Sequence, residues 1–248
     1  MPDRRALFSA PGGPTGALVL HGFTGTPGSM RPLADAIAAA GFSVESPLLP
    51  GHATTPSDLG TKTFSDFVNA VEDAYATLSE RTTAIVVVGL SMGGALALDL
   101  ATRHHELAGV VLINPLAEPP APSFLELLRA AHAGGSFSFP SIGSDIAKPR
   151  DHEGGYDETP IAPLLSTMEG IAELGGRLSQ ITSPVLMFTS RTDHVVPPTT
   201  GDFLEGALSA PVTRIMLEQS HHVATLDYDA ELIATATIEF MNKVVVPL

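Results

Sequence analysis

The run Ala84-Ile85-Val86-Val87-Val88 passes without a break into Gly89-Leu90-Ser91-Met92-Gly93, and an apolar helical pattern begins at Gly94. A continuous β-branched run of this kind reads as a strand covered on both faces. Such a strand belongs to a sheet with helices packed on either side. The Gly-x-Ser-x-Gly that follows places the serine on a tight strand-to-helix turn, with its hydroxyl lifted above the sheet edge. The flanking glycines answer the crowding in that turn, where side chains would clash. The Met92 N–H and the helix start then face the same point, which suits them to stabilise an oxyanion.

The rest of the chain repeats this rhythm. Short apolar runs over 17–20, 42–45, 109–113, 185–189 and 213–217 read as further strands. Helical patterns over 30–40, 64–78, 94–104, 199–208 and 230–243 lie between and after them, and Gly41 stops the first. The alternation predicts an α/β fold with a mostly parallel central sheet flanked by helices. The stretch 116–180 departs from it. Eight of the chain's 21 prolines fall from Pro115 to Pro163, no strand is legible there, and only 124–133 and 168–178 look helical. We expect a small helical cap over 116–180, inserted into one core formed by 1–115 and 181–248.

Composition removes several kinds of chemistry. The chain has no cysteine, which excludes a thiol nucleophile, a disulfide framework and Cys-ligated zinc or iron–sulfur sites. Its 13 Lys+Arg against 27 Asp+Glu give a net charge of −14, which opposes binding to a phosphate backbone. No apolar stretch approaches the ~20 residues of a membrane span, and the basic start lacks the apolar region of a secretory signal. The expectation is a soluble, cytoplasmic protein without a nucleic-acid partner or stable membrane insertion. Oligomeric state is not legible.

A nucleophilic serine needs a base, and the base an orienting acid. In this architecture they follow in the order Ser, Asp or Glu, His. Asp193 lies beyond the strand that ends at 189, and His221 and His222 lie beyond the one that ends at 217. Both places are at the carboxyl ends of strands, where open parallel sheets bind their ligands. On the residues alone either histidine can be the base. Asp202, inside a helix, and Asp227, past the histidines, are the other acids weighed. In His21-Gly22-Phe23, Gly22 lets the chain bend so that the Phe23 N–H becomes a second oxyanion donor, with the Phe23 ring as pocket wall. We read His21 as structural and Pro50-Gly51-His52 as loop architecture. Phe124, Leu125, Leu127, Leu128, Ile142 and Ile146 of the insertion, with Phe137 and Phe139, are expected to roof an apolar acyl pocket.

Other classes fit less well. Gly22, Gly25 and Gly28 have the wrong spacing for a dinucleotide fold, and Pro27 removes a needed N–H. Nine histidines include no H-E-x-x-H, so no metal is expected. A haloalkane dehalogenase would want Asp in place of Ser91. A non-catalytic binding protein on this fold would typically lack one of Ser91, Asp193 and the histidine.

Leu20-His21-Gly22-Phe23-Thr24-Gly25, Pro50-Gly51-His52, Gly89 to Gly94, Asp193 with Val196-Pro197, and Glu218 to Val223 with Leu226-Asp227 together resemble the α/β-hydrolase superfamily. Within it, the chain is most similar to bacterial carboxylesterases and monoacylglycerol lipases. That family places its base one residue before the Val of the last motif, which implies His222; it usually has Gly where this chain has His221, and often Gly at Ala53. The resemblance also implies a helical cap and a cofactor-free serine esterase. Ser91 would be the nucleophile, His222 the base, Asp193 the acid, and Phe23 and Met92 the oxyanion donors. The substrate would be a short- to medium-chain neutral acyl ester, monoacylglycerol among them. C–C hydrolysis, perhydrolysis and amide cleavage on the same residues are the alternatives.

Overall fold

A computed structural model describes residues 6–141, 144–149 and 153–245. In chain order the strands are β1 (Phe8–Ala10), β2 (Thr15–Leu20), β3 (Ser43–Ser46), β4 (Ala84–Leu90), β5 (Gly109–Ile113), β6 (Ser138–Pro140), β7 (Glu158–Pro160), β8 (Val185–Ser190) and β9 (Val212–Leu217). The α-helices are α1 (Pro27–Ala39), α2 (Pro56–Leu59), α3 (Phe64–Ser79), α4 (Met92–Ala101), α5 (Pro122–Ala133), α6 (Ile161–Gly175), α7 (Thr199–Ala207) and α8 (Ala230–Val244).

Seven strands form one sheet in the order β1-β3-β2-β4-β5-β8-β9. All pair in parallel except β1, which runs antiparallel to β3 at the edge. This is the α/β-hydrolase arrangement. The register aligns Val19, Val88 and Val111 across three neighbouring strands. Side chains alternate between faces along a strand, so the sheet separates two apolar layers. Leu18, Val87, Leu112 and Met187 pack towards α3, α4 and α6, against residues such as Phe67, Leu96 and Ile171. Val19, Val88, Val111 and Phe188 pack towards α1 and α8, against Leu33, Ile37, Ile233 and Met241.

Every strand and helix read from the main alternation is present, with shifted ends. The helix expected from residue 30 starts at Pro27, because Thr26 caps it by accepting the Gly28 N–H at 3.2 Å. The helix expected from 94 starts at Met92, directly after the serine. The stretch 116–180 differs more. It holds a short antiparallel ribbon, β6 with β7, where no strand was expected; three-residue strands ending in proline carry no readable period. Its second helix is α6 rather than 168–178. Pro163 lies in the first turn of α6, where a missing N–H costs nothing, so it does not break the helix. α6 lies beside α3 and α4, and Arg177 just after it pairs with buried Asp99 of α4 at 2.7 Å. By contrast α5 fully buries only Leu128. Among the described residues no helix is long and apolar enough to cross a membrane.

The loop after β2 is set by two buried histidines. His21 donates from Nδ1 to the Gly22 carbonyl at 2.9 Å and accepts the Leu49 N–H on Nε2 at 3.2 Å. His52 donates from Nδ1 to the Pro50 carbonyl at 3.1 Å and accepts the Thr24 N–H on Nε2 at 3.2 Å. Their rings meet edge to face at 4.8 Å. A proton added to either Nε2 would face another N–H. Burial therefore dominates, and pulls His21 down to about 3 and His52 to about 4 from an ordinary 6.5. Both histidines are architectural, as the sequence reading has it.

Two outcomes follow for stability. A Cβ on Gly89 would lie 2.1 Å from the Gly93 carbonyl oxygen, a clash of backbone with backbone. Gly89→Ala is expected to lose about 2–3 kcal/mol, seen as a lower urea midpoint at unchanged m-value; wild-type stability would contradict this packing. For the histidines, the unfolded chain takes up protons near pH 6.5 and the folded one only near 3 to 4. The unfolded state thus holds more protons between these values. Stability is expected to fall as pH drops below about 6.5, approaching about 1.4 kcal/mol per pH unit for each residue. Urea titrations at about pH 7 and pH 5 check this, and a flat profile would refute it. His52→Gln, which cannot titrate, should remove part of the slope.

Candidate active site

Ser91 stands between β4 and α4 with φ 55° and ψ −120°. Side chains rarely occupy this region, and holding one there costs on the order of 1–3 kcal/mol. The surroundings fix it. The Ser91 N–H donates to the Ile113 carbonyl at 3.0 Å, and the Ser91 carbonyl accepts from Gly94 at 2.8 Å and Leu116 at 3.0 Å. The glycines of the motif are spatial requirements. A Cβ on Gly93 would lie 2.4 Å from the Leu20 carbonyl oxygen, and one on Gly22 would lie 3.2 Å from the Ser91 Cβ. The loop after β2 therefore rests directly against the serine. Among the described residues, neither the Phe23 nor the Met92 backbone N–H is taken by a protein acceptor.

At the ends of β8 and β9 the chain brings Asp193 and His222 together. His222 Nδ1 lies 2.8 Å from Asp193 Oδ2, and both side chains are buried. Asp193 Oδ1 accepts the N–H groups of Val195 and Val196, each at 2.8 Å, which aims its other oxygen at the histidine. His221 turns away, and its Nδ1 lies 3.3 Å from Asp145. The other acids are engaged elsewhere. Asp202 pairs with Arg214 on the surface, and buried Asp227 accepts N–H groups from Ala147, Lys148, His221 and Tyr228.

Two residues not singled out from the sequence organise this end of the sheet. Asn114, just past β5, has φ 43°. Its Nδ2 donates to the His222 carbonyl at 2.8 Å and to Ser190 Oγ at 2.9 Å, while its Oδ1 accepts the Ser190 N–H at 2.7 Å. Asp145, between β6 and β7, accepts the N–H groups of His194 and His222 on Oδ2, each at 3.1 Å, and its carbonyl accepts the Val223 N–H at 3.0 Å. Burial pushes the Asp145 carboxyl up, but hydrogen bonds from His194 and His222 outweigh it and hold it below the usual range. Neither position carries a motif; only the folded loops reveal them.

Ser91 and His222 open into one cavity of about 330 Å³. Of the residues expected at the pocket, Phe23, Phe124 and Phe139 line it. Leu116, Leu164 and Met168 complete an apolar wall. Leu164 and Met168 are one helical turn apart on α6, a spacing that is visible in the sequence. Leu128 does not line the cavity, because it is fully buried in the core on the α3–α4–α6 side. Ile146 also lies off it, packed on the opposite core layer. Ile142 lies outside the described residues. Phe137 stands 47% exposed, against Gly60. Two carboxyl groups, Asp145 and Glu153, reach the cavity. Burial pushes the Glu153 carboxyl up, against the pull of His222 and of a hydrogen bond with Ser29. A hydroxyl on a strained turn, a buried imidazole–carboxylate pair and free backbone donors suit nucleophilic attack on a carbonyl.

Comparison with known proteins agrees with this layout. The family described as serine aminopeptidase, S33 (Hydrolase_4) matches residues 15–229. The thermostable monoacylglycerol lipase of Bacillus sp. (strain H-257) is 44% identical over 241 residues, covering 95% of this chain and 94% of that one. The carboxylesterase of Bacillus subtilis (strain 168) is 26% identical over 239 residues, covering 95% and 96%. A solved structure from work on LipS and LipT, two metagenome-derived lipolytic enzymes, is 36% identical with a TM-score of 0.92, covering 97% of this chain and 98% of that one. The family match spans the sheet from β2 through β9 and takes in Ser91, Asp193 and His222, so this chain belongs to the serine aminopeptidase S33 family of α/β-hydrolases.

Proposed function

We propose that the protein is a cofactor-independent serine hydrolase that cleaves carboxylic esters through an acyl-enzyme. The observation that carries this reading is the buried His222–Asp193 pair sharing one cavity with Ser91 on its strained turn. Ser91 Oγ attacks the ester carbonyl carbon while His222 Nε2 takes its proton. Asp193 holds the Nδ1–H tautomer and stabilises the imidazolium. The Phe23 and Met92 N–H groups receive the oxyanion, and losing one such donor costs ~100–1000-fold in rate. Collapse breaks the bond to the alcohol oxygen, which leaves with the proton from His222. Water then attacks the acyl-enzyme with His222 again as base, releasing the acid and restoring Ser91.

The substrate class follows from the cavity. Its walls, Phe23, Leu116, Phe124, Phe139, Leu164 and Met168, suit a short- to medium-chain acyl group. Asp145, held below the usual carboxylate range, disfavours an anionic substrate, and Glu153, pushed up by burial, can hydrogen-bond an alcohol hydroxyl, which fits a monoacylglycerol. The similarity to a protein named as a monoacylglycerol lipase supports the same choice. In this reading 116–180 is a cap on the core of 1–115 and 181–248, with α5 and the β6–β7 ribbon roofing the cavity and α6 as its root. The enzyme works in the cytoplasm on small neutral esters rather than on nucleic acid.

Ser91→Ala and His222→Ala are each expected to lower kcat/KM for a nitrophenyl ester by about 10⁴-fold or more, while His221→Ala keeps most of the activity. A dead His221→Ala with an active His222→Ala would overturn the choice of base. A fluorophosphonate probe should label wild type and not Ser91→Ala; failure to label wild type favours a non-catalytic binding role. Across a substrate panel, medium-chain monoacylglycerols and nitrophenyl esters should exceed acetyl esters, charged acyl esters and amides. Preference for acetyl or charged acyl groups would count against the apolar acyl pocket.

A further inference from the structure

Asp145, which lines the cavity, gathers His194 and His221 beside it, and the proposed hydrolysis uses none of the three in a chemical step. Each offers a ligand atom within 4.8 Å of those of the other two. They come from three separate segments: the insertion, the loop after β8 and the loop after β9. Asp145 Oδ1 lies 2.8 Å from His194 Nδ1 and 3.3 Å from His221 Nδ1. The two rings stand nearly perpendicular, with centroids 4.7 Å apart. One imidazole nitrogen, of His194, is hydrogen-bonded to this carboxylate oxygen, and that of His221 lies close by.

We propose that these three side chains form a site for a divalent transition metal of the zinc class, which ties the insertion to the loops carrying Asp193 and His222. The donor set is two imidazoles and one carboxylate, which suits zinc, whereas magnesium and calcium favour all-oxygen ligands. Zinc bonds of ~2.0–2.1 Å in tetrahedral geometry place ligand atoms about 3.3 Å apart. The two nitrogen–oxygen separations are at that spacing or within about half an ångström of it, all three ligand atoms lie within 4.8 Å, and rotation of the two imidazoles would close them on an ion. The carboxylate is oriented from behind, since its other oxygen accepts the N–H groups of His194 and His222. Backing of this kind is what holds a metal ligand in place. His194 is 59% exposed, which leaves an entry path and room for a water at the fourth position. The surrounding charge also favours a cation. Asp193 and Asp227 are bonded to the same two loops, and Lys148 Nζ is turned to the Asp227 carbonyl.

The site does not depend on the ester reading, and its test uses binding and melting rather than turnover. The metal-stripped protein is titrated with zinc chloride by calorimetry and melted with and without the ion. One equivalent is expected to bind, and a hundredfold excess over Kd should raise Tm by about 5–10 °C, reversibly with a chelator. The double variant His194→Ala/His221→Ala should melt near wild type without metal and lose both responses. Should it not fold, His194→Gln, on an exposed side chain, must still weaken zinc binding at least tenfold. Absence of saturable binding, binding unchanged in these variants, or an equal Tm rise with magnesium would overturn the proposal.

Discussion

The backbone of Ser91 is the constraint around which the structure is arranged. Its conformation is unfavourable in isolation and persists because several elements meet at it. β5 supplies the carbonyl that fixes its N–H, and the segment after β5 supplies an N–H to its own carbonyl. The loop after β2 presses on its Cβ through Gly22. Each of these groups is held by the central, fully buried strands of a parallel sheet. The energy that keeps the serine strained is therefore the packing of the whole core, spread over both layers and not stored in the turn.

Around this point the chain places titratable groups in opposite environments. His21 and His52 lie deep behind the loop after β2, locked neutral by carbonyls and N–H groups on both ring nitrogens. His222 has a carboxylate on one ring nitrogen and faces the cavity with its remaining surface. His194 and His221 sit further out, against one oxygen of Asp145. The same side chain thus occupies three settings: locked between two loops, paired with a buried carboxylate at the cavity, and gathered further out around Asp145.

What could be read from the sequence follows from how far each feature is written locally. β4 and its neighbours are buried on both faces, so they appear as unbroken apolar runs, and the groups at their ends could be named. The Gly-x-Ser-x-Gly around Ser91 and the order Ser, Asp193, then His221 or His222 put candidate residues at those strand ends, and only the resemblance implies His222. Of the two histidines, only the packing against Asp193 shows the pairing directly. β1, β6 and β7 went unseen because three residues cannot show a period. Asn114 and Asp145 went unseen because their partners lie far away in sequence, on loops that only the sheet brings together. Leu128 and Ile146 lie on the core layers rather than on the cavity, a difference that apolar composition alone does not carry.

The position of α6 has a consequence for where the stretch 116–180 could be cut. Ile171 and Leu174 are sealed in the same layer as α3 and α4, and a Cβ at Gly170 would meet the Phe64 ring at 2.2 Å. Excising 116–180 as a module would strip one wall from that layer and leave Asp99 with one arginine fewer. A graft that keeps the host's α6 and replaces only the chain from α5 through β7 would leave the hydrophobic interior closed. A cut at the start of α6 therefore disturbs that layer less than cuts at residues 116 and 180.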